Sequence, residues 1–97
     1  MHHITASVAG LTTSIEVDGP LDVIAAYDLC ARVDAALRGG ARVIGIDLTR
    51  VTSASLEGVR GLGRCRDAAI EVGAVLTFTG CSRPFRADLA AVESLRS

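Results

Sequence analysis

A small α/β domain is what this sequence predicts, with parallel strands at the centre of a mixed sheet and helices flanking it. Three observations lead there. Ile4, Ala6 and Val8 alternate with polar residues, and Leu11, Thr13, Ile15 and Val17 do so again, which is the period of half-buried strands. Val43–Leu48 and Ala74–Thr79 are the largely apolar runs that buried parallel strands carry. Segments of helical period alternate with these runs, and strand–helix–strand–helix order demands parallel pairing through crossovers. A chain of 97 residues has room for one domain and one modest core.

Each element has a local cause. Gly10 breaks the first alternation, so the first two strands are joined by a turn, and Asp18-Gly19-Pro20 ends the second. Asp22 can cap a helix from Val23 to Arg38 by accepting from the open amides of its first turn. Ala26, Leu29, Val33 and Leu37 form its buried stripe, and the pairs Asp28/Arg32 and Asp34/Arg38 support its outer face. Gly39-Gly40 stops it. The Val43–Leu48 strand leads into a loop of small hydroxyl residues. A second helix then runs to about Val72, with Val59, Leu62, Cys65, Ala69 and Val72 inward and Arg60, Arg64, Asp67 and Glu71 outward. Gly58, Gly61 and Gly63 in that helix cost about 1 kcal/mol each against alanine. They make sense where backbone must approach a neighbour closely, within the fold or in a partner. After the Ala74–Thr79 strand, Gly80 to Pro84 turns into a last helix with Phe85, Leu89 and Val92 inward.

Composition narrows the function. A net charge of -1 makes no electrostatic case for nucleic acid or an anionic membrane. No apolar stretch approaches the roughly 20 residues of a bilayer span, and the N-terminus lacks a signal peptide's order, so the expected location is cytoplasmic. Cys30, Cys65 and Cys81 are odd in number and widely spaced, and read as reduced thiols packed as small apolar groups. Lysine is absent, which removes a phosphate loop of the Gly-Lys-Ser/Thr kind and a response-regulator-like site at Asp47. The histidines, His2 and His3, lie at the extreme N-terminus, as a tag remnant or a disordered start. They leave no nucleophile–base pair, and two neighbours cannot hold a metal by themselves. No enzyme, no cofactor and no metal is expected.

The segment from Val43 to Arg60, VIGIDLTRVTSASLEGVR, carries the most information. It places Asp47, Thr49, Thr52, Ser53 and Ser55 past the carboxyl end of a strand, where ligands and partners dock in open α/β sheets. Here the chain resembles a known family. Gly19-Pro20-Leu21-Asp22 resembles the Gly-x-Leu-Asp signature of STAS domains, the anti-sigma factor antagonists and the cytosolic domains of sulfate transporters. Asp47-Leu48-Thr49-Arg50-Val51-Thr52 resembles their Asp-Leu-Ser-x-Val strand end. Ser55-Leu56-Glu57-Gly58-Val59 falls where they carry Asp-Ser-Ser-Gly-Leu, and Leu76 to Pro84 resembles their next strand and helix start. The likeness runs from about Ile4 to the chain's end, as a single STAS-like domain over 1–97. It implies a bacterial, non-enzymatic regulator of transcription that docks onto an anti-sigma factor or a related kinase-like protein; a homodimer stays open beside it. Relatives usually continue into another strand and helix beyond the region of Ser94, so the sheet edge is expected to be bare or covered by a partner.

The resemblance implies a phospho-switch that this chain lacks. The family's phosphorylated serine position holds Leu56, its aspartate position Ser55 and its second serine position Glu57. Leucine has no hydroxyl; Glu57 supplies one fixed charge at the helix start, and Ser55 or Ser53 is the substitute phosphosite that the segment offers. The implied docking surface comprises Asp22, Ser53, Ser55, Leu56, Glu57, Gly58, Arg60 and Arg64. Each also has a structural reading: Asp22 and Ser55 as caps, Glu57 on the dipole or paired with Arg60, Arg60 and Arg64 as a solvated face. Leu56 is either an exposed anchor or a side chain folded back into the core. Two functions follow, a protein-interaction module or a small-ligand sensor that holds a nucleotide or other anion at the second helix's amides.

Overall fold

The computed structural model describes residues 1–80. The element order is β1 (His3–Ala9), β2 (Thr12–Leu21), α1 (Val23–Arg38), β3 (Val43–Ala54), α2 (Leu56–Glu71) and β4 (Val75–Thr79). The four strands form one sheet in the order β1-β2-β3-β4. β1 and β2 are antiparallel, while β2/β3 and β3/β4 are parallel, so the mixed sheet with a parallel centre is present as expected. The expected last helix, with Phe85, Leu89 and Val92, and the Gly80–Pro84 turn beyond Gly80 lie outside the described residues.

The core is aliphatic because the chain has almost no aromatics. Ile15, Val17 and Leu21 from β2, Ile44, Ile46 and Leu48 from β3, Leu29 and Val33 from α1, and Val59, Leu62 and Cys65 from α2 are at most 2% exposed. Both helices bury their stripes against this one face of the sheet and pack on each other. Phe78 and Leu76 of β4 pack at its margin. The β1–β2 hairpin turns on two residues, with Gly10 at φ +63° in the first position, where a two-residue turn with glycine first takes positive φ. His2, expected as a disordered start, is ordered: its Nε2 lies 2.9 Å from Asp28 Oδ2 on α1. That bond, then the neighbouring Arg32, holds the Asp28 carboxyl below its ordinary range. The Asp34–Arg38 pair forms as the spacing predicts.

The strands run further than the sequence suggests. Gly19-Pro20 does not end β2, which continues to Leu21, and the expected hydroxyl loop is the second half of β3. Arg50, Val51, Ser53 and Ala54 pair with Asp18, Gly19, Pro20 and Leu21. The register slips twice, between Glu16 and Asp18 and between Gly19 and Pro20, each time leaving an extra residue on β3. Small hydroxyl residues tolerate the bulges, and Thr49, Thr52 and Ser53 are exposed there. At the first bulge Thr49 pairs with neither neighbour; its amide and hydroxyl donate to Asp47 Oδ1 at 2.9 and 2.6 Å. These two bonds lower the Asp47 carboxyl below its usual value. Asp47 is thus structural, satisfying an amide that the ladder drops.

Other departures follow from the edges. Ala6 and Val8 point to the inner side by register, yet they are exposed, because β1 is an edge strand and only Ile4 is covered. Leu11 is exposed in the turn, and Val72 is the C-cap of α2 and exposed. The glycines of α2 are used inside the fold. A Cβ on Gly58 would occupy the place of the Leu21 carbonyl oxygen, and one on Gly61 would lie 2.6 Å from Ala26 Cβ. Gly63 is buried as well.

Two outcomes test this account. Gly58→Ala is expected to lower stability by about 1–3 kcal/mol in urea unfolding, because overpacking against Leu21 outweighs alanine's helix preference of about 1 kcal/mol. Gly45→Ala is the control, since nothing lies within 4 Å of a Cβ there. For Asp47 the folded carboxyl titrates below the unfolded one. Its stabilisation is therefore present above the unfolded value of about 4 and is lost as pH falls through the lower folded value. Thermal midpoints of wild type and Asp47→Asn should differ at pH 7, begin to converge below about pH 4, and meet only below the lower folded value. A gap that stays constant with pH would remove the charge from this explanation; Asp28 titrates in both chains and cancels.

Candidate functional site

The starts of α1 and α2 meet at one end of the sheet because β2 and β3 end side by side. Leu21 pairs with Ala54, and the next residue of each strand is a helix cap. Asp22 Oδ1 accepts from the Ala25 amide at 2.9 Å. Ser55 Oγ accepts from the Gly58 amide at 3.1 Å, and the Ser55 amide donates to the Leu21 carbonyl at 3.1 Å. Each cap is worth about 1 kcal/mol against alanine. The two caps are therefore stitched together through Leu21, and the edge they form is rigid.

Most of the expected docking residues come to this edge. Ser53 is exposed near the end of β3, opposite Pro20. Leu56, the first residue of α2, is 46% exposed, so it is not folded back into the core. Glu57 is exposed in the first turn, where a carboxylate gains about 0.3–1 kcal/mol from the helix dipole. No ion pair joins it to Arg60 among the described residues. Arg60 and Arg64 are exposed at i,i+4 on α2. Gly58 is buried against Leu21, so its contribution to the edge is the close approach itself.

The sequence reading missed three residues here. Val23, Ile24 and Tyr27, in the first two turns of α1, are 46%, 65% and 70% exposed. Positions 23 and 27, and 24 and 27, are helix neighbours, so the three share one face. Apolar residues that fall off the Ala26–Leu29–Val33 stripe were the available signal. With Leu56, they give the capped end four large apolar side chains in water.

The opposite face of the sheet is open among the described residues. Cross-strand rows Thr5–Glu16–Asp47–Thr79 and Ser7–Ser14–Gly45–Thr77 run over it, and Arg50 approaches Glu16 at 3.6 Å and Asp18 at 3.9 Å. A shallow depression of about 380 Å³ lies there, lined by Thr5, Ser7, Ser14, Glu16, Gly45, Asp47 and Thr79 among others. Two carboxylates beside it disfavour an anion. At the start of α2, Ser55 Oγ already takes the Gly58 amide and Glu57 adds a negative charge, so an anion meets repulsion there too. Among the described residues, no group of three or more His, Cys, Asp or Glu is placed to hold a metal ion. No described helix is long and apolar enough to cross a membrane.

Comparison with known proteins bears on the same features. No curated protein matches the chain. Among solved structures, the anti-sigma factor antagonist SpoIIAA in its unphosphorylated form superposes at a TM-score of 0.77 and 22% identity, covering 94% of this chain and 81% of that one. The phosphorylated Bacillus form gives 0.76 and 20%, covering 92% and 82%. A sulfate transporter family protein from Wolinella succinogenes gives 0.70 and 17%, covering 93% and 73%. Mglu gives 0.74 and 18%, covering 81% of this chain, which spans only 20% of that longer one. At such identities these likenesses show the fold. The family model described as Mlab, STAS domain matches residues 4–95, nearly the whole chain, and the chain belongs to that family.

Proposed function

We propose that this chain is a non-enzymatic docking module that binds a protein partner through the joined starts of α1 and α2. The observation that carries the reading is Leu56, 46% exposed in the first turn of α2, at the same end as exposed Val23, Ile24 and Tyr27. A bulky apolar side chain on a rigid capped edge is the feature that anchors an interface, and tyrosine is enriched at such anchors. Likeness to SpoIIAA, an anti-sigma factor antagonist, supports an anti-sigma factor or a kinase-like relative as the partner, in the bacterial cytoplasm. Likeness to a sulfate transporter family protein supports regulatory docking more broadly.

Phosphorylation does not switch this edge at the family's position. A phosphoserine at the start of α2 would bring roughly -1.5 to -2 charges on and off, whereas Leu56 and Glu57 leave an apolar group and a single constant charge. Complex formation would then be set by the partner's abundance or by another signal. The small-ligand reading has less support, because carboxylates stand both at the sheet depression and at the α2 amides.

The test begins with capture from native cytoplasm and identification of the bound protein by mass spectrometry. The purified kinase-like partner is then titrated against wild type and Leu56→Ser. Burying a leucine contributes about 1.5–3 kcal/mol, so Leu56→Ser should weaken binding by about tenfold to a hundredfold while the thermal midpoint stays put. Equal affinity would remove Leu56 from the interface; a large fall in melting temperature would return it to the core. In the same preparation, labelled ATP should leave Ser55 and Ser53 unmodified. Stoichiometric phosphate on either would mean that the switch has moved by one or a few residues.

A further inference from the structure

Cys30 of α1 and Cys65 of α2 stand with their Sγ atoms 3.5 Å apart, although 35 residues separate them in the chain. The cause is the close crossing of the two helices. Ala26 meets Gly61 where only a glycine fits, and Cys30 and Cys65 lie one turn further along each helix, at i+4. Cys30 Sγ also lies 3.5 Å from the Gly61 carbonyl oxygen as its donor. Cys65 is buried, while Cys30 is only partly covered.

We propose that Cys30 and Cys65 are a peroxide-sensitive dithiol, which hydrogen peroxide converts to a reversible disulfide tying α1 to α2. The Cys30 thiolate attacks one peroxide oxygen; the O–O bond breaks and hydroxide leaves, taking up a proton to become water. The Cys65 sulfur then attacks the resulting Cys30 sulfenic acid; the S–S bond forms, and the sulfenic oxygen departs as water with the Cys65 proton. In total two thiols lose two protons and two electrons, and one peroxide is reduced to two waters. A disulfide needs the sulfurs at about 2.05 Å, a closure of about 1.5 Å from the present separation.

The electrostatics assign the two roles. The hydrogen bond from Cys65, aided by the Arg64 guanidinium and opposed by burial, brings the Cys30 thiol down to about 7. The same bond and its own burial push the Cys65 thiol up. Cys30 is the readier thiolate and the less buried of the two residues, so Cys30 attacks and Cys65 resolves. An acidic, accessible cysteine beside a resolving cysteine is the arrangement in which oxidation stops at a reversible stage.

Trypsin places the three cysteines on separate peptides, Met1–Arg32, Cys65–Arg66 and Asp67–Arg86, the last because Arg83 precedes Pro84. The full chain is reduced, treated with stoichiometric hydrogen peroxide, unfolded in guanidinium with iodoacetamide, digested without reductant and weighed. The expected product joins Met1–Arg32 to Cys65–Arg66, two hydrogens lighter than their sum. Cys81 should be alkylated, and dithiothreitol before alkylation should remove the link. In Cys65→Ser the resolving thiol is gone, and dimedone should trap a sulfenic acid on Cys30. Alkylation of both Cys30 and Cys65 after peroxide, a link from either to Cys81, or sulfinic acid on Cys30 without a link would each overturn the proposal.

Discussion

Everything at the candidate site depends on how closely α2 approaches the end of β2 and the start of α1. The Leu21 carbonyl occupies the space that a side chain at position 58 would need, and it also accepts the Ser55 amide at 3.1 Å. One backbone group thereby fixes the start of α2 against the strand that feeds α1. The Ala26–Gly61 contact repeats the approach a turn later. Larger residues would push the helices apart, and both the capped edge and the thiol pair would open. Glycines that cost helix stability locally are retained because the tertiary contact needs their absence of volume.

That constraint gives the proposed docking edge its character. Asp22 Oδ1 and Ser55 Oγ each accept a cap bond, so these two oxygens serve the fold before a partner arrives. What remains for recognition is apolar: Leu56 together with Val23, Ile24 and Tyr27, bordered by Glu57 and the Arg60–Arg64 face. An interface of this type gains from burial and from a surface that does not reorganise. It responds weakly to a change of one charge, in contrast to an edge built around a phosphorylated serine.

The long β3 shows how sequence and tertiary structure divide the work. Thr49 to Ser53 has the composition of a loop, and Gly19-Pro20 that of a strand end, yet each becomes strand because the other is beside it. Neither half alone carries a sufficient apolar pattern. The pairing is made possible by two bulges, with Asp47 receiving the amide that the first one frees. Glu16, Ser14 and their neighbours on the uncovered face alternate with the core residues of β2, as the period requires.

Several features were legible from residues alone. The α1 bounds from Val23 to Arg38, the Asp22 and Ser55 caps, the inward stripes of both helices apart from Val72, and the parallel pairing of β3 with β4 all follow from local periodicity and capping chemistry. The motifs around Gly19, Asp47 and Gly58 pointed to the family. Only the tertiary structure decided which side of each residue faces a neighbour from elsewhere in the chain. Leu56 is left exposed at the first turn of α2, Ala6 and Val8 are exposed because β1 is an edge strand of the described sheet, and Cys30 meets Cys65 because Gly61 lets two helices touch. Periodicity reports the environment of a residue within its own element; contacts between elements 30 or so residues apart depend on packing volumes, which no local pattern encodes.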